Sequence, residues 1–245
     1  MRNHKSIFRK DNKRPVHTTS SLQGRAGVSL LAVMLLLLAS CTEKDDEWDP
    51  YYNWKARNTA WFLEVADSAR TAIAQAKTQY GTAWEEHCEW RMYRTLWSSA
   101  DASATVTDSI CVRILPREPK AEGDTISPAF TDKVRINFRG WTMRTEYTNE
   151  KGAKESRMAV FSQSYYGDYD PKTAAPQTME VANVIEGFST ALQYMVRGDN
   201  WMVYIPQQLA YAEKGSSAIP AYSTLLYQLS LVEIYPVGTT VPTWK

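Results

Sequence analysis

The sequence predicts an α+β fold: a curved antiparallel β-sheet wrapped over one short helix, preceded by an N-terminal helical segment. Three stretches alternate with the period of a strand. In residues 133–139, Val134, Ile136 and Phe138 share one side, and Lys133, Arg135, Asn137 and Arg139 the other. Trp201, Val203 and Ile205 make a second set. The last strand places Leu225, Tyr227, Leu229 and Leu231 opposite Thr224, Leu226, Gln228 and Ser230. An apolar side facing a more polar one suits a sheet with one solvated face. Between these strands, Ile185, Phe188, Leu192 and Met195 recur at spacings of three and four, as along one face of a short helix. Gly198 is expected to end that helix in a left-handed conformation.

The elements follow in chain order. Arg2, Lys5, Arg9, Lys10, Lys13, Arg14 and Arg25 stand against Asp11 alone, and an apolar run, mainly Leu, fills residues 28–39. That run is too short to span a bilayer comfortably and suits the core of a signal peptide, so residues 1–40 read as a signal segment. It ends Leu38-Ala39-Ser40-Cys41, which resembles a bacterial lipobox. In such precursors the cysteine sulfur receives a diacylglycerol and becomes the first residue of the mature protein, which implies a membrane anchor at Cys41. Residues 41–50 then form an acidic tether. Its Lys44-Asp45-Asp46-Glu47 run resembles export signals of Gram-negative outer-membrane lipoproteins, and equally suits a plain solvated spacer. The expected location is the outer membrane, facing the periplasm or the outside. Two or three lipid chains make such anchoring stable.

Residues 51–81 are expected to be helical: Trp61, Val65, Ala69, Ile73, Ala76 and Tyr80 recur every three or four positions and Gly81 stops the run. Residues 82–85 offer a capping box for another short turn. From there to residue 245 the chain is β-rich. Residues 89–97 and 109–115 read as a hairpin joined by a polar connector at 98–108. Cys88 and Cys111 are expected to lie near each other across it. An exported location permits a disulfide, and two buried free thiols are the alternative. Residues 144–155 and 164–176 read as loops, the second holding Tyr165, Tyr166 and Tyr169, and residues 236–245 as an irregular end.

Composition narrows the function classes. A net charge of +1 over 245 residues argues against nucleic acid as a partner. Of the histidines, His4 and His17 lie in the leader and only His87 remains, so no metal cluster or histidine-based triad is expected in the mature chain. No phosphate-cradling glycine loop occurs. Neither a metal nor a cofactor is expected.

The stretch from 184 to 234 reads Val-Ile-Glu-Gly-Phe, then Ala-Leu-Gln-Tyr-Met and Arg197-Gly198. Ile-Pro-Gln-Gln-Leu-Ala-Tyr follows at 205–211, with a second Ile-Pro at 219–220 before the final strand. This order resembles the FKBP-type peptidyl-prolyl cis-trans isomerases, over a core of residues 133–235. The resemblance implies aromatic pocket positions at Phe138, Phe161, Phe188, Tyr211 and Tyr227, and aliphatic ones at Val184, Ile185 and Ile219. It implies that the Ile185 backbone N–H and the Tyr211 phenol donate to substrate carbonyls. Three departures stand out: Ser162 replaces the family's aspartate at the pocket edge, Gln177 replaces a further aromatic, and Ala212 stands where glycine is usual. Phe188 takes the place of the customary tryptophan floor.

The implied partners are proline-containing protein or peptide segments, and the implied activity is prolyl isomerisation assisting the folding of exported proteins. An FKBP-like binding lipoprotein at the cell surface, catalytically weak because Ser162 lacks the carboxylate, is the alternative. Some envelope relatives dimerise through an N-terminal helical segment. The helix at 51–81, with Trp54, Trp61 and Phe62, either does the same or packs on its own sheet.

Overall fold

A computed structural model describes residues 49–96, 103–116, 125–148 and 152–244. The signal segment 1–40, Cys41 and the Lys44–Glu47 run lie outside the described residues.

The sheet is antiparallel throughout and runs in the order β1-β2-β8-β9-β3. These strands are β1 (Trp90–Arg94), β2 (Ser109–Ile114), β8 (Asn200–Ile205), β9 (Leu225–Tyr235) and β3 (Lys133–Thr142). The far edge of β3 is shared by β7 (Gln177–Glu180), which pairs its start, and β6 (Val160–Gln163), which pairs its end. Residues 144–155, expected as a loop, contain most of a separate hairpin of β4 (Thr145–Thr148) and β5 (Lys154–Arg157). Its polar strands have no apolar side to signal them.

One face of the sheet wraps a short helix, α2 (Glu186–Tyr194). Phe188, Leu192 and Met195 are buried there against Ile110, Val112, Val134, Ile136, Val203, Leu225 and Leu229. Each such side chain contributes about 1.5–3 kcal/mol of hydrophobic stabilisation. Gly198 does adopt a left-handed conformation (φ 86°), but four residues past the end of α2. It forms the turn into β8, where its N–H donates to the Leu231 carbonyl at 2.8 Å. In β9 the pairing shifts after Leu231, so that Arg135 faces Glu233 while Ile136 faces Leu231. This bulge reverses the side-chain phase. Leu231 and Ile234 therefore both serve the apolar layer.

The second face is covered, which the alternation did not foretell. The long helix α1 (Trp54–Tyr80) lies across the β1-β2-β8 end, ending at Gly81 (φ 56°). Its buried positions are Trp54, Asn58, Phe62, Ala66, Ala69 and Ala76. That stripe shares Ala69 and Ala76 with the expected one but is otherwise rotated from it: Trp61, Val65 and Ile73 are only half-buried and Tyr80 is exposed. The small Ala66 and Ala69 let the helix approach β2 and enclose Cys111 together with Phe62. At the β3-β9 end the loop 164–176 and the chain's tail take over. Tyr165 Oη donates to Gln228 Oε1 at 3.0 Å, and the Tyr169 hydroxyl pairs with that of Ser230 at 2.7 Å. Buried Arg135 bonds the Pro242 carbonyl and lies 5.2 Å from the Trp244 ring centre. Polar residues on this face are buried because each finds a partner. The described residues from 49 onward thus form one compact unit, with α1 part of it. Residues 82–85 continue as a 3-10 turn spanning Gly81–Glu86, with no side-chain cap at its start.

The hairpin of β1 and β2 forms, but it does not bring the cysteines together. Cys111 faces Met92 and Cys88 precedes β1 by two residues. That register separates them by four strand positions, or ~13 Å, beyond the ~7 Å that a disulfide spans. Both thiols are free. Burial under α1 pushes the Cys111 thiol from 9.0 up to about 12. The folded chain therefore holds a proton that the unfolded chain has lost between pH 9 and 12, and stability falls as pH rises through that window. We expect the urea midpoint of Cys111→Ala to fall less steeply over this range than that of the parent. In the native protein a thiol reagent at pH 8 should modify Cys88 well before Cys111. Equal rates at the two sites would contradict the enclosure of Cys111.

Candidate active site

At the open end of the apolar layer lies a cavity of about 410 Å³, within the ~300–1,000 Å³ usual for ligand pockets. The start of α2 floors it with Val184, Ile185 and Phe188; β3 contributes Phe138 and β9 contributes Tyr227. Tyr211, on the loop after β8, forms one wall, and Ser162 of β6 stands exposed at the rim.

The floor is built by edge-to-face rings. Phe138 meets Phe188 at 6.2 Å and 82°, Phe188 meets Tyr227 at 5.1 Å and 87°, and Tyr227 meets Phe161 at 5.3 Å and 89°. This geometry sets the positive edge of one ring on the negative face of the next, worth about 0.5–1.5 kcal/mol per pair beyond burial. Ile185 caps α2: its carbonyl accepts from Phe188 N at 3.0 Å and Ser189 N at 2.9 Å. Burial, with the Tyr211 phenol as a smaller contribution, raises the Tyr227 hydroxyl well above the ordinary tyrosine range, so it stays protonated through neutral and alkaline pH.

Of the residues expected in the site, Phe138, Ser162, Val184, Ile185, Phe188, Tyr211 and Tyr227 come together around the cavity. Phe161 stands behind them against Tyr227, and Ile219 is drawn into the core. Gln177 is exposed at the start of β7, and Met179, on the same side of that strand, lines the cavity instead. Met179 and Asn183 escaped the sequence reading because a four-residue strand and a 3-10 turn carry no period. Asn183 is held by Glu180, whose Oε2 accepts from its Nδ2 at 2.5 Å. Ala212, at the usual glycine position, is left-handed with φ 47°.

Residues 125–232 match the family model described as FKBP-type peptidyl-prolyl cis-trans isomerase. Over these residues the chain is similar to FKBP-type domains. It is 34% identical over 114 residues to the FKBP-type 22 kDa peptidyl-prolyl cis-trans isomerase of Escherichia coli (strain K12), covering 46% of each chain. It is 28% identical over 127 residues to the outer membrane protein MIP of Legionella longbeachae, covering 48% of this chain and 54% of that one. The chain spans about half the length of these curated relatives. The solved structure of FkpA from Escherichia coli aligns over 85% of this chain and 82% of its own, at 19% identity and a TM-score of 0.40.

One glycine of β3 sets the seat of two rings. A Cβ on Gly140 would stand 2.6 Å from Phe161 Cζ and 2.7 Å from Tyr227 Cε1. Glycine on β3 lets both rings lie on the backbone. Gly140→Ala is expected to push them toward the cavity, costing about 1–3 kcal/mol of stability as overpacking does and weakening ligand binding. Urea unfolding together with peptide titration would check this; a variant equal to the parent in both would remove the constraint.

Proposed function

We propose that this protein is a membrane-anchored peptidyl-prolyl isomerase that assists the folding of exported proteins. The observation that carries this reading is the apolar cavity over Phe188, ringed by Phe138, Ile185, Tyr211 and Tyr227. Prolyl isomerisation needs no nucleophile or metal. Its barrier is amide resonance, about 18–20 kcal/mol. The planar amide is more charge-separated than the twisted one, so a dry aromatic pocket favours the twisted form. Phe138, Val184, Phe188 and Tyr227 supply the apolar surroundings in this reading, with Phe161 supporting Tyr227 and Ile219 packed in the core behind. The Tyr211 phenol and the Ile185 N–H donate to substrate carbonyls in this reading. Lowering the barrier by about 4 kcal/mol speeds exchange roughly a thousandfold.

The anchor reading rests on the Leu-Ala-Ser-Cys ending of the apolar run, and a relative named as an outer membrane protein supports an envelope location. Lipid on Cys41 and the tether to residue 50 would place the domain at the outer membrane, facing the periplasm or the outside. The buried stripe of α1 is spent on its own sheet, which favours self-packing of that helix over its use as a dimer contact.

Ser162 favours a second reading, an FKBP-like binding protein with weak turnover. A hydroxyl at the rim makes neutral hydrogen bonds, about half as strong as those of a carboxylate.

A protease-coupled assay on a proline tetrapeptide tests the pair. The enzyme reading expects measurable kcat/KM in the parent, a fall of tenfold or so in Tyr211→Ala with the fold intact by circular dichroism, and a rise of up to roughly tenfold in Ser162→Asp, about 1.4 kcal/mol of barrier. An inactive parent and an equally inactive, folded Ser162→Asp would leave the binding protein. Cys41→Ala should release the protein from the membrane fraction or leave it unprocessed; normal processing and membrane association would remove the anchor.

A further inference from the structure

Two residues near the start of α1 reach across the chain to the loop that carries Tyr211. Asn58 is fully buried on a stripe otherwise made of Trp54, Phe62, Ala66 and Ala69. An unpartnered buried amide costs about 1–3 kcal/mol, and here every bond is directed. Its Oδ1 accepts from Thr224 N at 2.8 Å, its backbone carbonyl accepts from Thr224 Oγ1 at 3.1 Å, and its Nδ2 donates to the Trp54 carbonyl at 2.8 Å. Trp54 Nε1 donates to Ser223 Oγ at 2.9 Å, and that hydroxyl donates to the Pro220 carbonyl at 2.6 Å. Lys55 Nζ lies 4.3 Å from the ring centre of Tyr222.

The gripped residues close a loop under backbone strain. Ala212 and Tyr222 are both left-handed, at φ 47° and 63°. Such residues cost about 1–2 kcal/mol each and persist only where their surroundings hold them. They are tied to each other: Tyr222 N donates to the Ala212 carbonyl at 2.6 Å. Ala212 follows Tyr211 directly, and its own N–H donates to the Gln207 carbonyl at 2.9 Å. A continuous path of hydrogen bonds and adjacent residues therefore runs from Asn58 and Trp54 through 222–224 to Ala212 and the phenol on the cavity wall.

We propose that Trp54 and Asn58 are positioning residues for Tyr211: α1 braces the loop 211–224 so that its two strained residues keep the phenol on the cavity. The inference rests on the isomerase reading of that cavity. Its location is distinctive, because α1 precedes the isomerase domain in the chain.

The test uses the full chain with Asn58→Ala and Trp54→Phe, each alone and combined with Tyr211→Phe. Amide hydrogen exchange and kcat/KM on a proline tetrapeptide are both measured. We expect exchange at residues 211–216 to quicken roughly tenfold, the effect of about 1.4 kcal/mol, while β3 and β9 amides stay protected. We expect kcat/KM to fall several-fold alone and to fall no further on the Tyr211→Phe background, the non-additivity of groups acting as a unit. Unchanged loop exchange in a folded variant overturns the brace. Faster exchange with unchanged kcat/KM, or a loss repeated in full on the Tyr211→Phe background, overturns its action through Tyr211. A parent without isomerase activity defeats the functional reading, and loop exchange then decides the brace alone. Should Asn58→Ala fail to fold, Trp54→Phe, which removes an N–H and keeps most of the packing, carries the test.

Discussion

A nine-residue helix has too few internal hydrogen bonds to stand by itself in water. The burial of α2 against the sheet, where it lies nearest β1, β2 and β8, is the contact on which the rest depends. Phe188, Leu192 and Met195 anchor the helix in the apolar layer, and that burial points its first turn at the open end of the sheet. The cavity is a consequence: where β6 and β7 divide the edge of β3 between them, the layer is left uncovered over Phe188 and Tyr227. The site is a part of the core that the sheet does not close.

The other side of the sheet meets a different constraint. Asn137, Thr224 and Ser230 are buried although their face of the sheet was expected to meet water. Each is reached by an element that brings a partner: Ser164 to Asn137, Asn58 to Thr224, Tyr169 to Ser230. These bonds are sparse and directional, whereas the apolar layer is broad and tolerant. Packing makes the domain stable, and the polar side fixes where the loops that frame the cavity come to rest.

The chemistry of the cavity follows from what it lacks as much as from what it holds. Its rings are neutral, and the raised Tyr227 hydroxyl adds no charge at working pH. A hydrogen bond made on the buried floor acts in a lower dielectric than one made at the exposed Ser162 rim. In the isomerase reading proposed above, Ser162 in place of a carboxylate and the seating of the Tyr211 loop are the two features that bear on catalytic strength.

Much of this was legible in the chain itself. Alternation located β3, β8 and β9, and the three-four spacing located α2, because burial on one side leaves a periodic trace. The order of Ile-Pro, Tyr and the final strand pointed to seven residues that line the cavity. The expected stripe on α1 holds at Ala69 and Ala76 but misses Asn58, Phe62 and Ala66, because a buried amide partnered by a distant loop leaves no apolar period. The β4-β5 hairpin, Met179 and Asn183 left no periodic signal. The separation of Cys88 from Cys111 depends on register, which a hairpin's sequence leaves open when its connector is long. The sequence by itself determined that the apolar sides of β3, β8, β9 and α2 leave water, since hydrophobicity is a property of each side chain. Only the tertiary structure decided which polar groups meet, such as Asn58 with Thr224 across 166 residues, because a directional bond exists only once both partners have been brought within its reach.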